Sequence, residues 1–175
     1  RGGKFESRLL PVEAQLTPVM GASVADFDGD GNEDVFLSQN YFAVRVEDYR
    51  MDSGEGLLLE GDGAGGFASQ FGHQSGIRVY GEQRGSAVGD LNGDGRSDLI
   101  VAQSKARPRL YLNTLGQTGL RLSLAGPAGN PLGQGATVRA GFADGSKGAA
   151  RLVGGNSGRY SQAAAGQTLG GAKRI

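Results

Sequence analysis

Two short stretches constrain this chain more than anything else in it. Asp26–Asp34 (DFDGDGNED) and Asp90–Asp98 (DLNGDGRSD) each put oxygen-bearing side chains at positions one, three, five and nine of a nine-residue segment, with glycine at position six. They stand 64 residues apart (90 − 26), each after a small-residue approach (GASVA, GSAVG) and before an apolar exit (DVFLSQ, DLIVAQ). Carboxylates crowded into one turn repel, so such a loop stays ordered only if something positive sits among them. The repeat aligns without a gap, is longer than a helical repeat, and suits a unit of about four strands such as a propeller blade.

The rest of the chain agrees with an all-β fold. Its 33 glycines in 175 residues far exceed the usual share of ~7% and point to many tight turns. LLLEGDGAGGFASQ reads as a strand over Leu57–Glu60, a Gly/Asp turn and a second strand from Phe67. YFAVRVEDYR alternates as a half-buried strand would, and GIRVYGE supplies another. No window has convincing helical periodicity. The apolar runs DVFL and DLIVA suit short strands covered on both faces, as in stacked blades. From about Leu110 the chain becomes short β segments joined by Gly, Pro and Asn, with Asp144-Gly145 a hairpin turn. The expected architecture is therefore propeller-like blades over residues 1–114 and a C-terminal antiparallel β domain over 115–175.

Composition excludes several classes. There is no cysteine, hence no disulfide framework or thiolate metal site. No apolar stretch approaches the ~20 residues of a membrane span. The start has neither Met nor an apolar leader, and the end, AAAGQTLGGAKRI, stops on Ile175 without a closing turn, so a processed chain or a fragment is expected. The net charge of zero hides a gradient: residues 1–98 hold 17 acids and 8 bases, residues 99–175 one acid (Asp144) and 10 bases. The basic half reads as a solvated face, with an anionic partner or the acidic half of another copy as the sharper alternative.

The acidic turns have the chemistry of a hard-ion site. Alternate placement lets a tight loop aim Asp26, Asp28, Asp30 and Asp34, or Asp90, Asn92, Asp94 and Asp98, at one ion, while the backbone carbonyls of Asn32 and Arg96 at position seven can add another oxygen. All donors are oxygen, which selects Ca²⁺ over zinc or copper, and their number selects it over Mg²⁺. An EF-hand would need a bidentate Glu at position twelve between two helices; here that position is Leu37 or Val101, inside strand-like runs.

With those residues in place, GASVADFDGDGNEDVFLS and GSAVGDLNGDGRSDLIVA resemble the FG-GAP/VCBS calcium-binding β-propeller repeats, and LLLEGDGAGGF resembles the hairpin that precedes such loops. LRLSLAGPAGNPLGQGATVRAGFADGSKGAARLVGGNSGRYSQ looks like the ASPIC/UnbV domain that often follows them, here in part. The resemblance implies two Ca²⁺ sites and an extracellular or cell-surface location. Two loops cannot close a ring of ~4 to 8 blades, so a longer parent, an open arrangement or assembly between chains is expected.

Other motifs carry less. GDGAGG (61–66) matches G-x-G-x-x-G, but FASQFGHQSG follows in place of a helix, so a phosphate would have no helix N-terminus. His73, the sole histidine, lies in a polar loop, and Ser157 and Ser161 have no visible base. Glycosidase carboxylates need two acids in different environments, not four converging on one point. The basic segment has too few aromatics for a nucleic-acid platform.

The leading expectation is thus a non-catalytic Ca²⁺-binding module, secreted or surface-displayed, that presents loops to a protein or glycan ligand. The alternatives are a self-assembling filament subunit, joined through sheet edges and opposite charge halves, and the accessory region of a larger secreted enzyme. Because Asn92 replaces a carboxylate and Arg96 adds a positive charge, the second loop should bind Ca²⁺ more weakly than the first. Calorimetric titration should resolve two affinities, and equal affinities or the reverse order would overturn this ranking.

Overall fold

The computed structural model describes residues 3–154, 160–163 and 166–172; Ser157 lies outside them. The protein is mostly β. The two copies of the repeat become the bodies of two four-stranded sheets. In the first, β1 (Val19–Ala25), β2 (Asp34–Gln39), β3 (Leu57–Gly61) and β4 (Phe67–Gln70) lie antiparallel in sequence order. In the second, β5 (Gln83–Gly89), β6 (Asp98–Gln103) and β7 (Ala106–Tyr111) follow the same order. The repeat extends to register. Ala25 pairs with Asp34 and Gly89 with Asp98 at the mouths of the acidic loops, and both ladders shift at the equivalent place, before Gly21 and before Gly85.

Beyond Tyr111 the chain forms β8 (Leu120–Leu122), a β9 (Thr137–Gly141) and β10 (Lys147–Leu152) hairpin, β11 (Ser161–Ala163) and β12 (Gln167–Leu169). The Asp144-Gly145 turn lies within the hairpin connection, with Gly145 at φ 86°. β12 pairs with β8, while β11 lies parallel to β5 and completes the second sheet from its inner side. Tyr160 leads into that strand, and its carbonyl accepts from Ser86 N at 2.9 Å. Gly21 and Gly85, equivalent in the repeat, both face this carbonyl; a Cβ on Gly85 would sit 2.4 Å from it and one on Gly21 3.1 Å.

The main core lies between the two sheets. Phe36 and Leu58 of the first meet Leu99 and Val101 of the second, with Phe27, Ile77, Val79 and Val88. Leu37, Leu57 and Leu59 face the other way and are covered by Ala14, from a 3-10 turn at Val12–Gln15. Burial on both faces is why β2 reads as a continuous apolar run. β6 is covered on one face: Leu99 and Val101 are buried, Ile100 half-buried and Ala102 exposed.

Among the described residues the two sheets form no closed ring, as two loops lead one to expect. Two expectations need correction. Residues 41–50 are not a strand, because a turn closed by Asp48 N on Arg45 O lifts the segment away and leaves Val46 99% exposed; only a bridge from Tyr41 to Met51 remains. Ile77 and Val79 are buried as a strand's would be, yet residues 76–82 join no ladder. Val79 N donates instead to Glu55 O, and Arg78 N and O bond the Tyr111 hydroxyl. His73 sits in a one-turn helix, α1 (Gly72–Ser75), and stacks on Phe71 in solvent. Among the described residues no helix is long and apolar enough to cross a membrane.

Gly85→Ala should destabilise by about 1–3 kcal/mol, since a backbone oxygen must move to admit the methyl group. Gly21→Ala should cost less. Urea unfolding of the pair measures the order, and equal effects would mean that β11 does not press on the repeat.

Candidate metal centre

Each acidic loop winds on its own carboxylates. In the first, Asp26 Oδ1 accepts from Gly29 N at 2.8 Å and Oδ2 from Gly31 N at 3.1 Å. Asp28 Oδ1 accepts from Asp30 N, and Asp30 Oδ1 from Asn32 N. Gly29 and Gly31 take φ values of 80° and 95°, the left-handed backbone that such tight winding needs. Asp34 closes the loop: Oδ2 accepts from Phe27 N at 2.8 Å and Oδ1 from Gly61 N, at the end of β3, at 2.9 Å. The loop is thereby fastened to the third strand of its sheet.

This winding brings oxygens of Asp26, Asp28 and Asp34 within 4.8 Å of one another. Oxygens around a Ca²⁺ ion at ~2.3–2.6 Å lie at most about 5 Å apart, so the three fit one coordination sphere, and a carboxylate oxygen holding one N–H still has a lone pair to give. The donor set is all hard oxygen. Asp30 is not part of the group: its Oδ2 accepts from Asn32 Nδ2 at 2.8 Å.

The second loop repeats the winding but not the convergence. Asp90 accepts from Gly93 N, Asp94 N and Gly95 N, Asn92 Oδ1 from Asp94 N, and Asp98 from Leu91 N and Asn113 N. Among the described residues no trio of acids gathers there. The loop carries its own positive charge. Arg96 contacts Asp94 Oδ2 at 3.1 Å and donates from Nε to Gly116 O. Arg121 reaches to 3.9 Å from Asp90 Oδ2.

Residues with no signature of their own assemble the site. Arg151, nearly buried, lies 3.9 Å from Asp26 Oδ2 and 3.4 Å from Glu33 Oε1, and Gly170 N donates to Asp26 Oδ2 at 3.0 Å. Asn113 accepts nothing from the first loop but donates to its Phe27 O at 2.6 Å, while its own N–H holds Asp98 of the second. Gln117 N donates to Asp28 O and Gly119 N to Gly95 O. Part of the basic excess of the C-terminal half thus faces the acidic loops of the same chain. That excess was the available signal; the specific arginines were not distinguishable from their neighbours in sequence.

Residues 84–106 match the family model of the FG-GAP repeat. The chain contains an FG-GAP repeat. The match covers β5, the second acidic loop and β6, and by geometry the first copy is built alike, although its own residues lie outside the matched span. No curated protein matches the chain. In the structure each acidic turn connects two antiparallel strands, with Leu37 inside β2 and Val101 inside β6.

Burial dominates the electrostatics of the first loop. It pushes the Asp34 carboxyl up to about 6, against hydrogen bonds from Gly61 and Phe27, with Asp28 and Asp26 adding to the rise. Burial also raises Asp26, opposed chiefly by Arg151. In the second loop the Asn92 side chain, then the Arg96 backbone and side chain, hold Asp94 below the usual range. A carboxyl raised on folding binds its proton more tightly when folded, so without metal the fold loses stability as pH rises from about 4 through 6. In chelator, calorimetric melts should therefore rise as pH falls from 7 to 5. A flat or falling profile would contradict the burial of Asp34 as a charge.

Proposed function

We propose that this protein is a non-catalytic Ca²⁺-binding β module working outside the cell or at its surface. The ion, held by the first loop through Asp26, Asp28 and Asp34, fastens the two sheets to the C-terminal strands and stiffens the surface offered to a protein or glycan ligand. What carries the reading is the convergence of three carboxylates, two of them buried, at a junction that Arg151 only partly neutralises. A full positive charge at that point would offset both the mutual repulsion and the burial of Asp26 and Asp34. The second loop, already carrying Arg96 and Arg121, is the weaker site.

The module reading is favoured over a filament subunit by the outer edges. β7 exposes Arg107, Pro108 and Arg109, and proline with charge at an edge discourages strand pairing. β4 has only four residues.

Calcium at about a hundred times its Kd should add roughly 2.7 kcal/mol, a rise of about 5–10 °C in Tm for a chain of this size. Magnesium should add less. Asp28→Asn should remove most of that rise while leaving the chelator melt in place, because Asp28 accepts only the Asp30 N–H within the loop and an amide oxygen can do the same. Equal melts with calcium and with chelator would defeat the proposal.

A further inference from the structure

A cleft of about 390 Å³ opens between the two sheets beside the first loop. Its size falls within the ~300–1,000 Å³ typical of small-ligand sites. Phe27, Leu58, Ile77 and Leu99, all buried side chains of the main core, form its floor, and Tyr111 stands beside them. The helix α1 walls one side. Leu115 lies at the lining and is 84% exposed, an apolar residue offered to solvent where the cleft opens.

One polar group in this apolar setting is incompletely matched. Glu60, on β3, takes a hydrogen bond from Gln70 Nε2 at 2.5 Å, but among the described residues no Lys or Arg pairs with it. Arg151, the buried cation nearest to the first loop, is spent on Asp26 and Glu33. Burial, and then Asp28 and Asp30 beyond the hydrogen bond, push the Glu60 carboxyl up. A carboxylate beside apolar walls and like charges, with no counter-ion among the described residues, is complementary to a cation that brings its own apolar surface. The apolar floor favours a cation with an apolar body over a bare metal ion, whose oxygen ligand Asp28 stands only at the edge shared with the first loop.

We propose that the inter-sheet cleft binds an organic monocation with an apolar body, an amidine, guanidine or amine whose charged head meets Glu60 and whose body lies on Leu58, Leu99 and Tyr111. The Tyr111 ring, with its hydroxyl engaged by Arg78 backbone atoms, is held in place to serve as one face of the contact. Asp28, a ligand of the proposed metal centre, also lines the cleft, so calcium at the first loop removes one like charge and should weaken the cation without abolishing its binding, because Glu60 lies outside the acidic loops.

The probes are benzamidine, its neutral isostere benzamide and a capped Phe-Arg amide, titrated into the purified chain by NMR, with calcium and again after chelation. The expected result is saturable benzamidine binding in both conditions, with shifts at Leu58, Glu60, Gln70 and Tyr111, and benzamide weaker by about tenfold or more. Tighter binding of benzamidine than of the peptide would assign a free cation, and the reverse order a basic side chain of a peptide. Glu60→Gln should weaken both cations about tenfold, and Leu115→Lys, at an exposed position that tolerates substitution, should weaken them by adding a like charge at the lining. Equal affinity for benzamide, shifts elsewhere, binding only after chelation, or affinities unchanged in both variants would each overturn the proposal.

Discussion

The structure depends on the aspartate at the ninth position of each acidic loop. Asp34 and Asp98 are buried, and each uses one carboxylate oxygen to hold the start of its loop, at Phe27 N or Leu91 N, and the other to hold the chain at the far end of the third strand, at Gly61 N or Asn113 N. Such buried charge-assisted bonds are costly to break and cannot be replaced by water. They join three strands at one end of each sheet. The turn is therefore a structural joint before it is a binding site, and any ion it takes acts on the whole sheet.

The two joints are unequal because their counter-charges differ. The second loop meets Arg96 from within and Arg121 from the C-terminal strands. The first meets Arg151 and the N–H of Gly170, yet gathers three carboxylates where the second, among the described residues, gathers no such trio. One architecture thus supports two electrostatic arrangements: a loop whose carboxylates meet two arginines, and a trio of carboxylates that Arg151 only partly neutralises.

The C-terminal strands also answer a question that the second sheet raises. Its inner strand, β5, needs a neighbour, and an unpaired edge is an invitation to association. Here β11 covers β5 in cis, and glycines at equivalent positions of the two copies leave room for the Tyr160 carbonyl between the inner strands. The outer edge of the second sheet is blunted by Arg107, Pro108 and Arg109 instead.

What was legible in the sequence was local. The repeat, its register, the β3–β4 hairpin and the turn at Asp144-Gly145 all follow from short-range rules, since turn chemistry and alternation act over a few residues. The positions of Asp26, Asp28 and Asp34 on one turn were legible for the same reason. Tertiary structure decided the rest. Tyr41–Arg50 alternates like a strand but found no partner, and Ile77 and Val79 are buried without a ladder because Glu55 and Tyr111 supply their segment's hydrogen bonds. Which arginine of ten C-terminal bases meets Asp26, that Asn113 holds Asp98, and that β11 closes the second sheet all depend on contacts across 15 to 144 residues of chain. Long-range pairing is set by the shape of the packed whole, which no local pattern of residues encodes.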